Sequence, residues 1–370
     1  MEYLYDYLSF FARVGTIVVA ILIVLGFVFA NAFASGGRRQ PESVGALEVK
    51  HLNRELDDVK FALETALASP AEQKSLEKAR DKEKKKQLKA HAKAKKSKEL
   101  QAQKAATDKA AKEIEEKTEG TKQAPERVFV LSFDGDIAAS SVDQLRREVT
   151  GVLTIATTKD EIVLRLESGG GMVHAYGLGA SQLDRIVEQG VPLTVTVDKV
   201  AASGGYMMAA VANKIIAAPF ALVGSIGVVA QVPNVHRLLK KNDVDVELIT
   251  AGKHKRTLTL LGENTDEARE KFTEQIEDVH ELFQAHLLAR RTQLDMDKVA
   301  TGEAWYGEQA IGLDLVDQLI TSDSYLVNLA QTSEVYEVEW KVPRKPLERL
   351  LGRFGSLASS LRSVLTGGRL

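Results

Sequence analysis

The chain has 370 residues, 44% hydrophobic and 27% charged, with a formal net charge of −2 and no cysteine. That length holds one large domain with appendages, or two domains. The charge balance argues against nucleic acid as the main partner, and the lack of cysteine excludes a disulfide framework, a thiol nucleophile and thiolate metal sites.

Val14 to Ala34 is uncharged throughout and long enough to cross a bilayer as a helix. Ala-Asn-Ala and Ala-Phe-Ala before Ser35 resemble a signal-peptide cleavage site. However, the run is longer than a usual signal core and its front carries Glu2 and Asp6 beside Arg13. Residues 1–35 are therefore read as a membrane anchor. Arg38, Arg39 and Lys50 follow it, which favours a cytoplasmic C-terminal side, although long domains cross regardless of charge.

Residues 36–126 change character. Leu52, Leu56, Val59, Leu63 and Leu67 recur at helical spacing, predicting an amphipathic helix near the membrane. Residues 71–123 are rich in Lys, Ala, Glu and Gln, with few large apolar side chains and an excess of basic charge. Such a stretch cannot bury enough surface to form a core, yet its helix propensity is high. It reads as a solvated, partly helical spacer with some affinity for anionic lipid headgroups.

Folded structure is expected over 127–335. Strands are predicted at VFVLSFDGDI, EIVLRLES, VPLTVTVDKV, KIIAAP, LVGSIGVVAQV and VDVELITAG, and helices over Ser140–Thr154, Ala175–Val187 and Glu267–Arg291. Strands alternating with helices predict an α/β domain with a largely parallel sheet. The tail, 336–370, places Leu347, Leu350, Leu351, Phe354, Leu357, Leu361, Val364 and Leu365 on one helical face among basic residues. That pattern fits an interfacial membrane helix, or packing on the body or on a partner subunit.

The chemistry centres on Ala201–Ala210, AASGGYMMAA, which follows the apolar run VPLTVTV. A serine at a strand–helix junction presents its hydroxyl to free backbone N–H groups, where developing negative charge is favoured. Gly204 and Gly205 allow a substrate backbone to approach Ser203 closely. Taken alone, Ser-Gly-Gly before a helix is more often only an N-cap and turn.

A serine nucleophile needs a base. Of the seven histidines, only His174, just past Gly169-Gly170-Gly171, is a candidate. The other candidate is a lysine of Gly252-Lys253-His254-Lys255-Arg256. A lysine acts as base only when neutral, which burial or cationic neighbours favour. A basic loop after a strand is otherwise simply solvated. The triple glycine, at a strand end and helix start, suits an oxyanion hole together with the N–H of Gly204. It lacks the GxGxxG and GxxxxGK[ST] patterns, and no His/carboxylate spacing suggests a metal, so neither cofactor nor metal is expected.

Five segments together carry a resemblance. ESGGGMV, VAASGGYMMA, VGSIGVV, AGKHK and ATGEAWYGEQAIGLDLVDQL resemble, in order from Glu167 to Leu319, the motifs of the signal peptide peptidase A-like serine peptidases. That family belongs to the Clp protease/crotonase superfamily. The resemblance implies a Clp/crotonase-like spiral of ββα units, preceded here by one transmembrane helix and a charged helical linker. It implies a Ser/Lys dyad with Ser203 as nucleophile and Lys255 as general base, Ser225 orienting the base, and the N–H groups of Gly170 and Gly204 as the oxyanion hole. It also implies peptide or unfolded polypeptide substrates such as signal peptides, a homo-oligomeric ring whose neighbouring subunits complete each site, and a bacterial inner-membrane location. Glu167 and Gly169 stand where the family usually has Asn and Pro, which loosens the carry-over at Gly170. Two readings compete with this one: a crotonase-like acyl-CoA enzyme, which would need neither Ser203 nor Lys255, and a non-catalytic membrane scaffold.

Overall fold

The computed structural model describes residues 45–80, 82, 125–252 and 254–341. The predicted anchor (Val14–Ala34), the C-terminal tail, most of the spacer and Lys253 lie outside the described residues. Among the described residues no helix is long and apolar enough to cross a membrane.

A mixed α/β architecture is built on one ten-stranded sheet. Its main path runs β1 (Ala46–His51), β10 (Glu334–Lys341), β2 (Arg127–Gly135), β3 (Glu161–Ser168), β4 (Leu193–Val197), β6 (Lys214–Ala217) and β9 (Gln318–Leu319). Off this path, β5 (Val200–Ala202) pairs with β3 and β7 (Leu222–Gly224), and β8 (Ala304–Tyr306) pairs antiparallel with β7. The central registers are parallel, with Val130 opposite Val163 and Val163 opposite Thr194. The predicted parallel sheet is thus present. Every residue of β4 is buried, as expected where helices cover a parallel sheet.

The helices include α1 (Leu52–Leu67), α2 (Val142–Leu153), α3 (Val173–Glu188), α4 (Gly204–Ala209), α5 (His236–Lys241), α6 (Asp266–Leu288), α7 (Met296–Val299), α8 (Gly307–Ala310) and α9 (Ser322–Leu329), with residues 70–80 also helical and a 3-10 turn at Ile311–Leu313. The main core joins Phe129, Leu131 and Phe133 of β2 to Leu145 and Val149 of α2, Leu183 and Ile186 of α3, and Met208 of α4. The alternate residues Val128 and Val130, with Val163 and Val335, form a smaller cluster under Leu326 of α9 and Leu52 of α1. The period-two alternation of β2 therefore feeds both faces.

Three expectations differ from what is observed. β1 and α1, read as part of the linker, join the sheet edge: the Asn53 amide donates to the carbonyls of Ala330 and Ser333, and its oxygen accepts the Val335 N–H. β10 extends the sheet past residue 335, the expected end of the domain. VDVELITAG forms no strand, and LVGSIGVVAQV is strand only over Leu222–Gly224. Beyond Gly224 both segments carry β-branched residues but find no neighbouring strand in one chain, and Val229 and Ile249 stand 92% and 90% exposed.

Candidate active site

Ser203 is the N-cap of α4 and sits at φ 52°, ψ −120°, a region costly for any residue with a Cβ. Its N–H donates to the Gly224 carbonyl (2.7 Å), so the strain is held by the β5–β7 ladder. The register pairs Ala202 with Gly224. Ser203 and Ser225 therefore follow side by side at adjacent strand ends. Ser225 also has positive φ (51°), and its N–H is fixed on the Glu303 carbonyl at 2.6 Å.

The small residues of the nucleophile segment are required by their surroundings. A Cβ on Gly204 would lie 2.5 Å from Cγ of Tyr176, and one on Gly205 would lie 2.6 Å from the Ser168 carbonyl oxygen. The end of α4 is tied just as firmly. Tyr206 donates from its hydroxyl to the Leu315 carbonyl (2.8 Å), and burial keeps that phenol neutral by raising its pKa. His286 of α6 donates from Nε2 to the Met207 carbonyl (2.9 Å). Burial, with Arg290 nearby, pushes the His286 imidazole below its ordinary range despite that hydrogen bond. Arg290 clamps α6 to α3 through a bidentate pair with Asp184. Burial alone would raise the Asp317 carboxyl, but hydrogen bonds from Arg291 and the Ile215 N–H outweigh it and hold it low.

The triple-glycine loop closes over Ser203. Gly170 takes φ +86°, and a Cβ there would lie 2.7 Å from both Ser203 Cβ and the Gly204 nitrogen. The structure thus brings together Ser203, Gly204, Ser225 and Gly170. The Gly170 N–H, expected as an oxyanion donor, instead donates to Ser168 Oγ (3.0 Å). Gly204 opens α4 and has no partner within the helix, and the Gly171 N–H donates to no group among the described residues.

Neither candidate base makes a described hydrogen bond to the serine. His174 is exposed at the start of α3 and makes no hydrogen bond to Ser203. Lys255 is exposed in the irregular stretch after Gly252, and its only described hydrogen bond runs from its backbone N–H to the Gly252 carbonyl. Among the described residues no cluster of His, Cys, Asp or Glu could hold a metal. Sequence reasoning missed Ser168 and Tyr176, which lie buried directly under the loop. The only signals were the serine inside ESGGGMV and one tyrosine at a core-facing position of α3.

Comparison with known proteins matches residues 2–183 to the model of the peptidase family S49 N-terminal region and residues 185–336 to that of peptidase family S49. The probable protease SohB of Haemophilus influenzae is 44% identical over 353 residues, covering 95% of this chain and 93% of that one. The probable protease SohB of Buchnera aphidicola subsp. Schlechtendalia chinensis is 54% identical over 201 residues, 54% of this chain and 66% of that one. Among solved structures, a mutant of the 1510-N membrane-bound stomatin-specific protease with a substrate peptide aligns at a TM-score of 0.36 and 16% identity. It covers 63% of this chain and 99% of that one, a likeness too slight to bear on the site.

Proposed function

This chain belongs to peptidase family S49 and is a protease of the serine class; we propose that it is a membrane-anchored endopeptidase with a Ser/Lys dyad, Ser203 and Lys255. The observation that carries the reading is Ser203 itself, strained at a helix start with a glycine turn pressed on its Cβ. Strain of this kind persists only where its surroundings fix it, and it clusters at reacting groups.

In the proposed reaction neutral Lys255 takes the Ser203 proton as Oγ bonds to the scissile carbonyl carbon. The oxyanion collects the N–H groups of Gly204 and of the glycine loop. Because Gly170 spends its N–H on Ser168, the loop donor is Gly171 rather than Gly170. The Lys255 ammonium returns the proton to the leaving amine as the C–N bond breaks, and water then hydrolyses the acyl-enzyme by the same route. Ser225, beside Ser203, orients the amine.

Lys255 is exposed in the single chain, and so are Val229, Leu248 and Ile249. That supports a homo-oligomeric ring in which Lys255 serves the serine of a neighbouring subunit and the segment 226–232 pairs with an extended substrate. The substrates are short or unfolded polypeptides, among them signal peptides. Val14–Ala34 anchors the chain in a bacterial inner membrane, and the ββα spiral is the expected architecture of the catalytic domain.

The test is hydrolysis of casein and of a signal-peptide substrate. Ser203→Ala and Lys255→Ala should each abolish it. Mixed and reassembled one to one, the two inactive chains complete about one site in four in a closed ring. Full activity in either single variant would remove the dyad. No recovery on mixing, with both variants folded and assembled, would place Lys255 in the same subunit as its serine.

A further inference from the structure

We propose that Tyr176 and Ser168 are positioning residues that set the oxyanion loop through a one-way chain of hydrogen bonds, an inference that rests on Ser203 being the nucleophile. The direction is fixed at both ends. The Gly170 N–H can only donate, and it meets Ser168 Oγ at 3.0 Å. The Asp136 carbonyl can only accept, and it receives the Tyr176 hydroxyl at 2.7 Å. With the phenol's one proton used there, the 2.5 Å contact between the two hydroxyls carries the Ser168 proton to the Tyr176 oxygen. The Gly135 carbonyl, 3.3 Å from Ser168 Oγ, is the weaker alternative acceptor.

Ser168 and Tyr176 are 2% and 0% exposed, so bulk water does not compete for these bonds. Burial also raises the Tyr176 phenol, which stays neutral and keeps its proton on Asp136. If the site needed only an aromatic ring here, phenylalanine would fill it without burying a hydroxyl.

One side chain thereby touches both halves of the hole. The Tyr176 ring forms the floor under Gly204 and leaves no room for a Cβ there. Its hydroxyl, through Ser168, holds the turn at Gly170, which lies against Ser203 and the Gly204 nitrogen and precedes the Gly171 amide. Ring and hydroxyl together fix the height of one donor against the turn of the other.

The experiment uses the full-length oligomer, an internally quenched apolar peptide, and a peptide boronate that forms a tetrahedral adduct with the serine. Tyr176→Phe and Ser168→Ala should each lower kcat about tenfold, a fraction of the loss on deleting an oxyanion donor outright. KM should stay within about twofold, because the relay acts on the transition state and not on substrate binding. Boronate affinity should fall in parallel with kcat. The double variant should be no slower than Ser168→Ala alone, since both break one relay. A core change away from the site, Leu145→Val on α2, should lower Tm and leave kcat and boronate affinity alone, as a purely structural role would.

Wild-type kcat and boronate affinity in Tyr176→Phe, or multiplicative losses in the double variant, would overturn the relay. Should Tyr176→Phe fail to fold, Ser168→Ala carries the same test with the ring floor intact. Ser203→Ala separates the two ideas. If it still hydrolyses peptide, the nucleophile is misassigned; if it is inactive while the relay variants are unaffected, only the relay falls.

Discussion

Of two adjacent glycines, one should tolerate an added methyl group and the other should not. A Cβ on Gly170 would meet the Gly204 nitrogen and Ser203 Cβ at 2.7 Å and the Ala202 carbonyl oxygen at 2.8 Å, on a backbone at φ +86°. The left-handed conformation costs alanine about 1–2 kcal/mol. Overlap with atoms that cannot rotate away adds about 1–3 kcal/mol. A midpoint of about 3.5 kcal/mol lowers Tm by about 7–14 °C for a folded unit of this size. Relieving the overlap pushes Ser203 or Gly204 by the better part of an ångström, and a shift on the order of 1 Å costs about 10²-fold in rate. A Cβ on Gly169, by contrast, meets nothing within 4 Å. Gly169→Ala should stay within about 0.5 kcal/mol of wild type and retain its activity. Thermal unfolding by circular dichroism and hydrolysis of a quenched peptide read both effects. A Gly170→Ala enzyme as stable and fast as wild type would refute the placement of this turn against Ser203, and so would a Gly169→Ala enzyme as damaged as Gly170→Ala.

Other expectations follow from the same neighbourhood. Gly169→Pro should fold and gain about 0.4–1 kcal/mol of stability from lost unfolded-state freedom, read as a slightly raised Tm. Its N–H donates to nothing described, and Ser168, as the last residue of β3, is already extended as a residue before proline must be; a lower Tm would show that the Gly169 amide or its φ matters. His286 is held neutral by burial, so the stability it contributes is present above its unfolded pKa of about 6.5 and lost as pH falls through its lower folded value. His286→Gln keeps an N–H donor for the Met207 carbonyl. It should lose less Tm than wild type between neutral and mildly acidic pH, and an equal loss would place the acid sensitivity elsewhere. Ile137, 72% exposed, accepts the Met172 N–H on its carbonyl beside the glycine loop, and Met172 is 49% exposed. Ile137→Asp should leave Tm unchanged and raise KM for apolar peptides about tenfold, the worth of one buried aliphatic side chain; an unchanged KM would mean that substrate does not touch this rim.

What could be read from the residues alone, and what could not, divides along the range of the interactions involved. The apolar run before Ser203, the small residues after it and the motif order all report local geometry. Strand β4, the strained turn and α4 fall where the spacing predicts them. The edge strands were missed because their cause is distant: Asn53 meets Val335 across 282 residues of sequence. Tyr176 was missed because an inward-facing aromatic on a helix looks the same from sequence whether its hydroxyl is spent on structure or on a relay.

The segments after Ser225 were misread for a different reason. Val229, Val232, Val244, Leu248 and Ile249 have the composition of buried strands, and in one chain they are exposed without a strand neighbour. Composition reports that a surface wants to be covered and does not say by what. Lys255 stands in the same stretch, so the missing half of the proposed dyad and the uncovered apolar residues are one problem with one proposed answer, a neighbouring subunit. Truncating that apolar surface should then do two things together. Val229→Asp with Ile249→Asp would dissociate the assembly in analytical ultracentrifugation, and hydrolysis would vanish although Ser203, Gly204 and Tyr176 are untouched. A dissociated but fully active chain would break the link, since one subunit would then hold a complete site.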